Sequence, residues 1–338
     1  MKLTKYIEKL KNLNGKIIAI VYTFTGDFSK SKYYDAWKAD VLSDWIRGVY
    51  DIKCTPLVMD FETFAFKAFN NTLPKINYVI NLNNGSVDLS SLGLLPSICS
   101  YLNIPCIPNN SEILTIGENK FVSNCLAQNA GLSIPKYIDN DSDAGIIRPI
   151  GYGSSKGIHR GNVKNNIRDL CQEFIPGFDM TISFMYNPIK ERLCFVSSLM
   201  YLPNSLDINW YLGEKEKEER NSYSKILVKI EKSFSQKLEQ FISENFAINT
   251  ICRIDTRVKC ESNEELKYFT EHEVESERIY FLEINPLPTI KEHVNFTDTI
   301  LNTAITSDFK VCLNEFQKYS NSKNVTGFIL SCILLSSD

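Results

Sequence analysis

The stretch that decides the reading is Arg253-Ile-Asp-Thr-Arg257, taken together with Phe281-Leu-Glu-Ile-Asn285. A strand period of two puts Arg253, Asp255 and Arg257 on one face. It puts Glu283 and Asn285 on one face of the second segment, with Leu282 and Ile284 opposite. Side by side, two such strands converge an aspartate, a glutamate and an amide oxygen. That is hard-oxygen ligation suited to Mg²⁺, which keeps waters and takes further ligands from substrate phosphates. Arg253 beside it is placed to stabilise charge on a transferring phosphoryl group or a tetrahedral oxyanion. A surface salt-bridge ladder would use the same spacing, and the residues alone leave both accounts open.

Around this pair the chain is ordinary globular stock. Its 338 residues suggest about two domains at ~150 residues each. Lys+Arg number 37 against Asp+Glu 40, a formal charge of -3. That balance argues against a long nucleic-acid footprint but leaves room for a small anion on a local basic cluster. The ten cysteines are scattered, with no CxxC and no histidine at zinc spacing, so reduced core thiols are expected. The Lys-rich N-terminal stretch has no apolar segment of signal-peptide type. The run 328–335 is far below the ~20 residues of a membrane span. A cytoplasmic protein without membrane or nucleic-acid partners is the expectation.

The first hundred residues alternate apolar strands with helices: strands from 17, near 54–59, at 78–82 and at 104–107, and helices over 34–49 and 94–102. The strand from Ile17 is continuously apolar, as in a parallel sheet covered on both faces, and the alternation predicts an open α/β sheet. A helix over 118–130 follows, closed by Gly131. Further strands are expected at 181–186, 193–199, 251–258 and 279–284, with a charged helix start at 214–220 and a long amphipathic helix over about 222–245.

Gly151-Tyr-Gly-Ser-Ser-Lys-Gly157 supplies backbone N–H groups and hydroxyls, Ser154 and Ser155 among them, that can cradle phosphate oxygens. It has neither P-loop spacing nor a strand-to-helix setting, and a plain surface hairpin remains open. Gln172-Glu-Phe-Ile-Pro-Gly-Phe-Asp179 reads as strand, turn, strand. Lys120 and Arg148, with this loop and the acids, would neutralise a triphosphate.

In this order the pieces resemble the ATP-grasp superfamily, in its D-alanine–D-alanine ligase-like branch, over roughly Tyr78 to Phe296. Lys120 followed by Ala-Gly-Leu-Ser-Ile-Pro (130–135) is similar to the branch's first nucleotide lysine and its helix exit. Ile-Ile-Arg-Pro and Gly-Ser-Ser-Lys-Gly resemble its Lys-Pro strand and serine loop. The resemblance implies an α/β fold: an open parallel domain (1–108), then two α+β lobes (109–170 and 171–338) enclosing ATP. It also implies a ligase that activates a carboxylate as an acyl phosphate and joins it to an amine, giving a dipeptide or amide, ADP and phosphate.

Roles follow by resemblance. Lys120, Arg148, Ser154 and Ser155 would hold phosphates, with Ser155 and Arg253 catalytic. Gln172, Glu173, Phe174 and Ile175 would meet adenine, Asp179 the ribose, and Lys215 (or Lys217) would close on the γ-phosphate. Asp255, Glu283 and Asn285 would hold two magnesium ions, with manganese a possible substitute. Arg257 and His293 are candidates for substrate binding, and a homodimer is expected.

The departures concern substrate. Arg148 replaces the second lysine, Thr23-Phe-Thr-Gly-Asp27 replaces the Gly-Gly and Glu pattern, and Pro286-Leu-Pro-Thr-Ile-Lys-Glu-His293 replaces the Pro-Gly-Met-Thr turn. Both substrate ends are altered, so amino-acid-like substrates outside cell-wall synthesis, in specialised metabolism, are expected. Alternatives are a different carboxylate or nucleophile, or a nucleotide-binding regulator without turnover.

Overall fold

The computed structural model describes residues 2–23, 32–83, 91–138, 145–151, 155–161, 168–290 and 307–336. Its leading part is a four-stranded parallel sheet in the order β2-β1-β3-β4, formed by β1 (Ile17–Tyr22), β2 (Thr55–Asp60), β3 (Tyr78–Leu82) and β4 (Cys106–Ile107). The alternation explains why β1 reads as continuously apolar. Ile18 and Ile20 enter one hydrophobic cluster, while Ala19 and Val21 enter the cluster on the opposite face. Helices cover both faces: α1 (Lys2–Asn12) and α2 (Lys32–Asp51) on the first, α3 (Phe61–Phe69) and α4 (Leu94–Tyr101) on the second.

Next come α5 (Ser111–Glu118) and α6 (Lys120–Asn129). The single helix expected over 118–130 is thus broken at Asn119, whose side chain accepts from Val122 N and caps α6. At the far end Gly131 adopts φ +74°, the left-handed exit that favours glycine. A small antiparallel sheet, β6-β5-β7, follows, made of β5 (Gly145–Pro149), β6 (His159–Arg160) and β7 (Asp169–Glu173). β7 runs across the expected lobe boundary at 170.

The third layer is a six-stranded sheet, β12-β10-β9-β8-β11-β13. Its strands are β8 (Gly177–Asn187), β9 (Arg192–Pro203), β10 (Tyr223–Ile230), β11 (Ile251–Lys259), β12 (Glu273–Val274) and β13 (Ile279–Asn285). The short α7 (Glu214–Glu218) precedes β10, α8 (Lys232–Phe246) follows it, and α9 (Glu265–Glu271) precedes β12. One face packs on α8 through Phe234, Leu238, Phe241 and Ile242. The other face carries the polar residues of the candidate site.

A further expectation changes. The amphipathic helix expected over 222–245 starts only at Lys232, and 223–230 is the strand β10. Tyr-Ser-Lys-Ile-Leu-Val-Lys-Ile is rich in β-formers, and antiparallel pairing with β9, from Tyr223–Pro203 to Val228–Ser198, claims it. The last helices, α10 (Ser307–Ser320) and α11 (Val325–Leu335), pack in a cluster that joins Ile18 and Ile20 of the leading sheet to Met185 and Ile251 of the large sheet. Every residue of α11 is buried. Its axis comes so close to α2 that a Cβ on Gly48 would lie 3.2 Å from Gly327 N. This burial accounts for the apolar run 328–335, and no described helix is long and apolar enough to cross a membrane.

The linker from β7 to β8 bends at Pro176-Gly177, where Gly177 takes φ +139° and the Val258 carbonyl fills the space of a Cβ. Any Cβ would overlap that carbonyl. Gly177→Ala is expected to cost at least about 2 kcal/mol, read as a lowered urea midpoint with an unchanged m-value.

Candidate active site

The polar face of the large sheet is built in rows. β11 pairs antiparallel with β8 on one side and with β13 on the other. Register places Arg257 opposite Asp179, Asp255 between Thr181 and Glu283, and Arg253 between Ser183 and Asn285. The acids of the two strands therefore meet as direct cross-strand neighbours. The three-stranded sheet and the segment before α7 close over these rows. The resulting cleft is lined, among others, by Arg148, Ser155, Phe174, Ile175, Lys217, Arg253, Asp255 and Glu283.

Glu283 is the electrostatic centre. Its Oε2 lies 3.2 Å from Lys120 Nζ and 3.4 Å from Arg148 Nη2, so α6 and β5 each send one buried cation to it. Burial pushes the Glu283 carboxyl up. The charges of Lys120 and Arg148, the Lys120 hydrogen bond and the charge of Lys217 outweigh that and hold it down at about 2. A register skip strengthens the junction. Asp255 pairs with Glu283 but Thr256 with Phe281, so Leu282 is an extra, bulged residue. Its carbonyl is freed to accept from Asn124 Nδ2 at 2.8 Å and from Arg148 Nη2 at 3.2 Å.

Asp255 is held by Thr181, whose hydroxyl donates at 2.6 Å, and by Arg253 Nη2 at 2.8 Å. Burial alone would lower the Arg253 pKa, but Asp255, with Tyr201 and Glu283, raises it, so the guanidinium stays charged. Lys217 is pushed down by burial and by Arg253, while Asp255, Glu283 and Asp179 pull it up. It is Lys217 that faces the acids. Lys215, the residue first expected there, is exposed, because the two side chains leave the short helix α7 in different directions.

Other expected residues occupy different roles. Gln172 is 0% exposed. Its amide oxygen accepts from Arg148 and its nitrogen donates to Asn124 Oδ1 and the Pro135 carbonyl, and the residue lies in the lining of the cleft. Glu173 accepts from Lys136 N on one oxygen. Glu173, Phe174 and Ile175 line the cleft as well, with Arg160 over the Phe174 ring at 3.6 Å and Arg257 at 4.6 Å.

Arg257 is not available to a substrate carboxylate. Its Nε donates to the Ile175 carbonyl, and Nη2 to the carbonyls of Gly177, Ile208 and Trp210. Nη1 lies 3.1 Å from Asp179. Asp179 also accepts from Leu212 N at 2.7 Å, and the Leu212 carbonyl accepts from Ser155 Oγ at 2.8 Å. The segment 208–212 is thus stapled to the large sheet on one side and to the glycine-rich loop on the other. No signal in the sequence pairs these distant carbonyls with Arg257. Ser154 and His293 lie outside the described residues.

Among the described residues no group of three or more His, Cys, Asp or Glu side chains could hold a metal. Asp255 and Glu283 supply two adjacent carboxylates. Asn285 sits one row away on β13, where its Oδ1 accepts from Leu287 N. Such a donor set fits a hard cation that completes its shell with water and phosphate oxygens.

No family model matches the chain, and no curated protein matches it by sequence. Solved structures do match over nearly the whole length. A D-alanine–D-alanine ligase from Bacillus anthracis complexed with ATP is 12% identical, with a TM-score of 0.60 over 95% of this chain and 99% of that one. The VanG D-Ala:D-Ser ligase from Enterococcus faecalis is 15% identical, with a TM-score of 0.58 over 93% and 100%. D-alanyl-alanine synthetase A from Vibrio cholerae is 10% identical, with a TM-score of 0.62 over 96% and 99%. The chain has the ATP-grasp fold of these ligases.

The low Glu283 pKa has a stability consequence. The unfolded carboxyl takes its proton near 4.5 and the folded one near 2. The charged pairing therefore stabilises fully above pH 4.5 and is lost as pH falls through 2. Glu283→Gln should be less stable than wild type at neutral pH, and the gap should narrow steadily between pH 4.5 and 2 in urea titrations.

Proposed function

We propose that this protein is an ATP-dependent carboxylate–amine ligase that forms an amide or peptide bond through an acyl phosphate, with an amino acid as the carboxylate substrate. The observation that carries this reading is the cross-strand pair Asp255–Glu283, set in a cleft among Lys120, Arg148, Lys217 and Arg253. Two carboxylates among four cations match a polyphosphate with its counter-ions better than a neutral ligand. The ATP-grasp fold and the ATP-complexed ligase among the similar structures support the nucleotide assignment.

In the first step a substrate carboxylate oxygen attacks the γ-phosphorus and the bond to the β-phosphate oxygen breaks, releasing ADP as the leaving group. Lys120 and Arg148 would turn from Glu283 towards phosphate oxygens, and Lys217 is placed to meet the transferring phosphoryl group. Phe174 and Ile175 would flank the base. Ser155, at φ +62° beside Gly157 at +71°, would present its loop to the phosphates. Asp255 and Glu283, with the Asn285 amide, are the residues that would hold magnesium, which would supply neutralisation of phosphate charge when bound.

In the second step an amine nitrogen attacks the acyl carbon, the carbon–oxygen bond to phosphate breaks, and the nitrogen gives up a proton. Arg253, kept charged by Asp255, would stabilise the tetrahedral oxyanion. The 208–212 segment, held at the cleft by Asp179, Ser155 and Arg257, would keep water from hydrolysing the acyl phosphate.

The test is ADP release and mass-spectrometric product analysis across pairs of amino acids. Amine-dependent ADP release with a condensed product supports the ligase, and ADP release that needs no amine refutes it. Asp255→Asn should lower turnover by roughly 100-fold or more while the far-UV spectrum is kept, and undiminished ATP consumption would overturn the metal assignment. Lys217→Met should cost at least about tenfold in kcat, whereas Lys215→Met should stay near wild type.

A further inference from the structure

Asp255 is held unevenly. Its Oδ2 accepts from Arg253 Nη2 at 2.8 Å, yet Arg253 Nε is buried with no hydrogen-bond partner among the described residues. Nε and Nη2 form one edge of the planar guanidinium, an edge that can take both oxygens of a carboxylate at once. Here the second oxygen, Oδ1, accepts from the Thr181 hydroxyl at 2.6 Å instead. Thr181 lies opposite Asp255 on β8, so strand register places the hydroxyl in competition with the guanidinium.

Behind Thr181 stands Tyr201. β9 pairs Leu199 with Thr181. Tyr201 lies two residues further along the same face, a diagonal that an aromatic side chain can span. Its hydroxyl is hydrogen-bonded to Thr181. An ionised carboxylate only accepts, so the Thr181 proton is committed to Asp255 and the phenol donates to Thr181 Oγ. Burial pushes the phenol above its ordinary range, which keeps that proton in place. The Tyr201 ring packs against Tyr223 at 5.8 Å, and Tyr223 against Trp210 at 6.1 Å. Thr181 and Tyr201 are each 3% exposed, and both line the cleft.

We propose that the hydroxyls of Thr181 and Tyr201 form a positioning chain that keeps Asp255 from closing on both prongs of Arg253. This rests on the roles given above to Asp255 and Arg253 and adds two residues that neither hold a metal nor meet a substrate. Without the chain, Asp255 Oδ1 would turn to Nε, which would satisfy a buried N–H and pair the same two charges twice. Both roles would suffer. The carboxylate would face a guanidinium with both oxygens, and Arg253 would have one edge spent on it. Hydrogen bonds in series polarise one another, so the phenol strengthens the hold of Thr181.

The test measures Mn²⁺ binding by electron paramagnetic resonance, in the presence of a non-hydrolysable ATP analogue, for wild type, Thr181→Val, Thr181→Ser and Tyr201→Phe. Thr181→Val, close in shape but without the hydroxyl, should weaken Mn²⁺ about tenfold, Tyr201→Phe about threefold, and Thr181→Ser less than about twofold. Affinity for the analogue in EDTA should stay near wild type in all three. Equal losses in Thr181→Ser and Thr181→Val would show that shape alone matters, and unchanged binding in Thr181→Val and Tyr201→Phe would show that the hydroxyls do not act; either overturns the proposal. A second measurement needs neither metal nor nucleotide. The Arg253 Nε–H resonance, assigned by its loss in Arg253→Lys, should move downfield in Thr181→Val as the second prong is filled, and an unmoved resonance overturns the chain. Wild type that binds no Mn²⁺ refutes the metal assignment, and the shifted resonance would still uphold the chain. Hydroxyl-dependent Mn²⁺ binding without amine-dependent ADP release would uphold the chain and refute the ligase.

Discussion

Everything in the cleft depends on the carboxylate of Glu283. Lys120 on α6 and Arg148 on β5 are both about 5% exposed at their side chains, and neither charge could be buried there without a partner. Both cations come from elements outside the large sheet, and both end on one oxygen of β13. The pairing therefore fixes how the small sheet sits over the large one. The bulge at Leu282 reinforces it with backbone chemistry, since the freed carbonyl binds Arg148 and Asn124, residues of the same two elements. A polyphosphate entering the cleft would compete for the same cations. In the proposed reading, nucleotide binding exchanges one anion for another at a junction already built for negative charge.

Arg257 does the complementary task at the other end. One guanidinium gathers carbonyls from Ile175, Gly177, Ile208 and Trp210 and also faces Asp179. Five N–H donors in a planar fork are what such convergence requires, and lysine could not reproduce it. The hydrogen bonds organise the wall on which Phe174 lies, and they hold 208–212 in place to meet Ser155. Arg253 and Arg257 thus share a strand face and differ in work: one stays beside an acid in the cleft, the other is consumed by backbone.

Much of this was legible from residue order. The period of two in β11 and β13 placed Asp255 beside Glu283, and continuous apolar runs marked the parallel sheet. What was hidden depends on distant partners. Arg257 looked like a ligand-binding base because nothing near 257 in the chain announces the carbonyls at 175–177 and 208–210. The partners that hold the Gln172 amide nitrogen, Asn124 and Pro135, likewise lie far back in sequence. β10 was taken for helix because its apolar residues at 226, 227, 228 and 230 suit either period, and only the edge of β9 decides between them. Lys217 and Lys215 could not be separated until the turn of α7 was known.

The polar face of the large sheet is laid out in regular rows. Along β8 and β11 the polar face steps from Asp179–Arg257 through Thr181–Asp255 to Ser183–Arg253, and then to the apolar seal of Met185 and Ile251. Each step is one strand repeat, so the separation between successive rows is set by backbone geometry and not by side chains. A change of side chain in one row leaves the acids one repeat away in place, because the sheet holds the distances between rows constant.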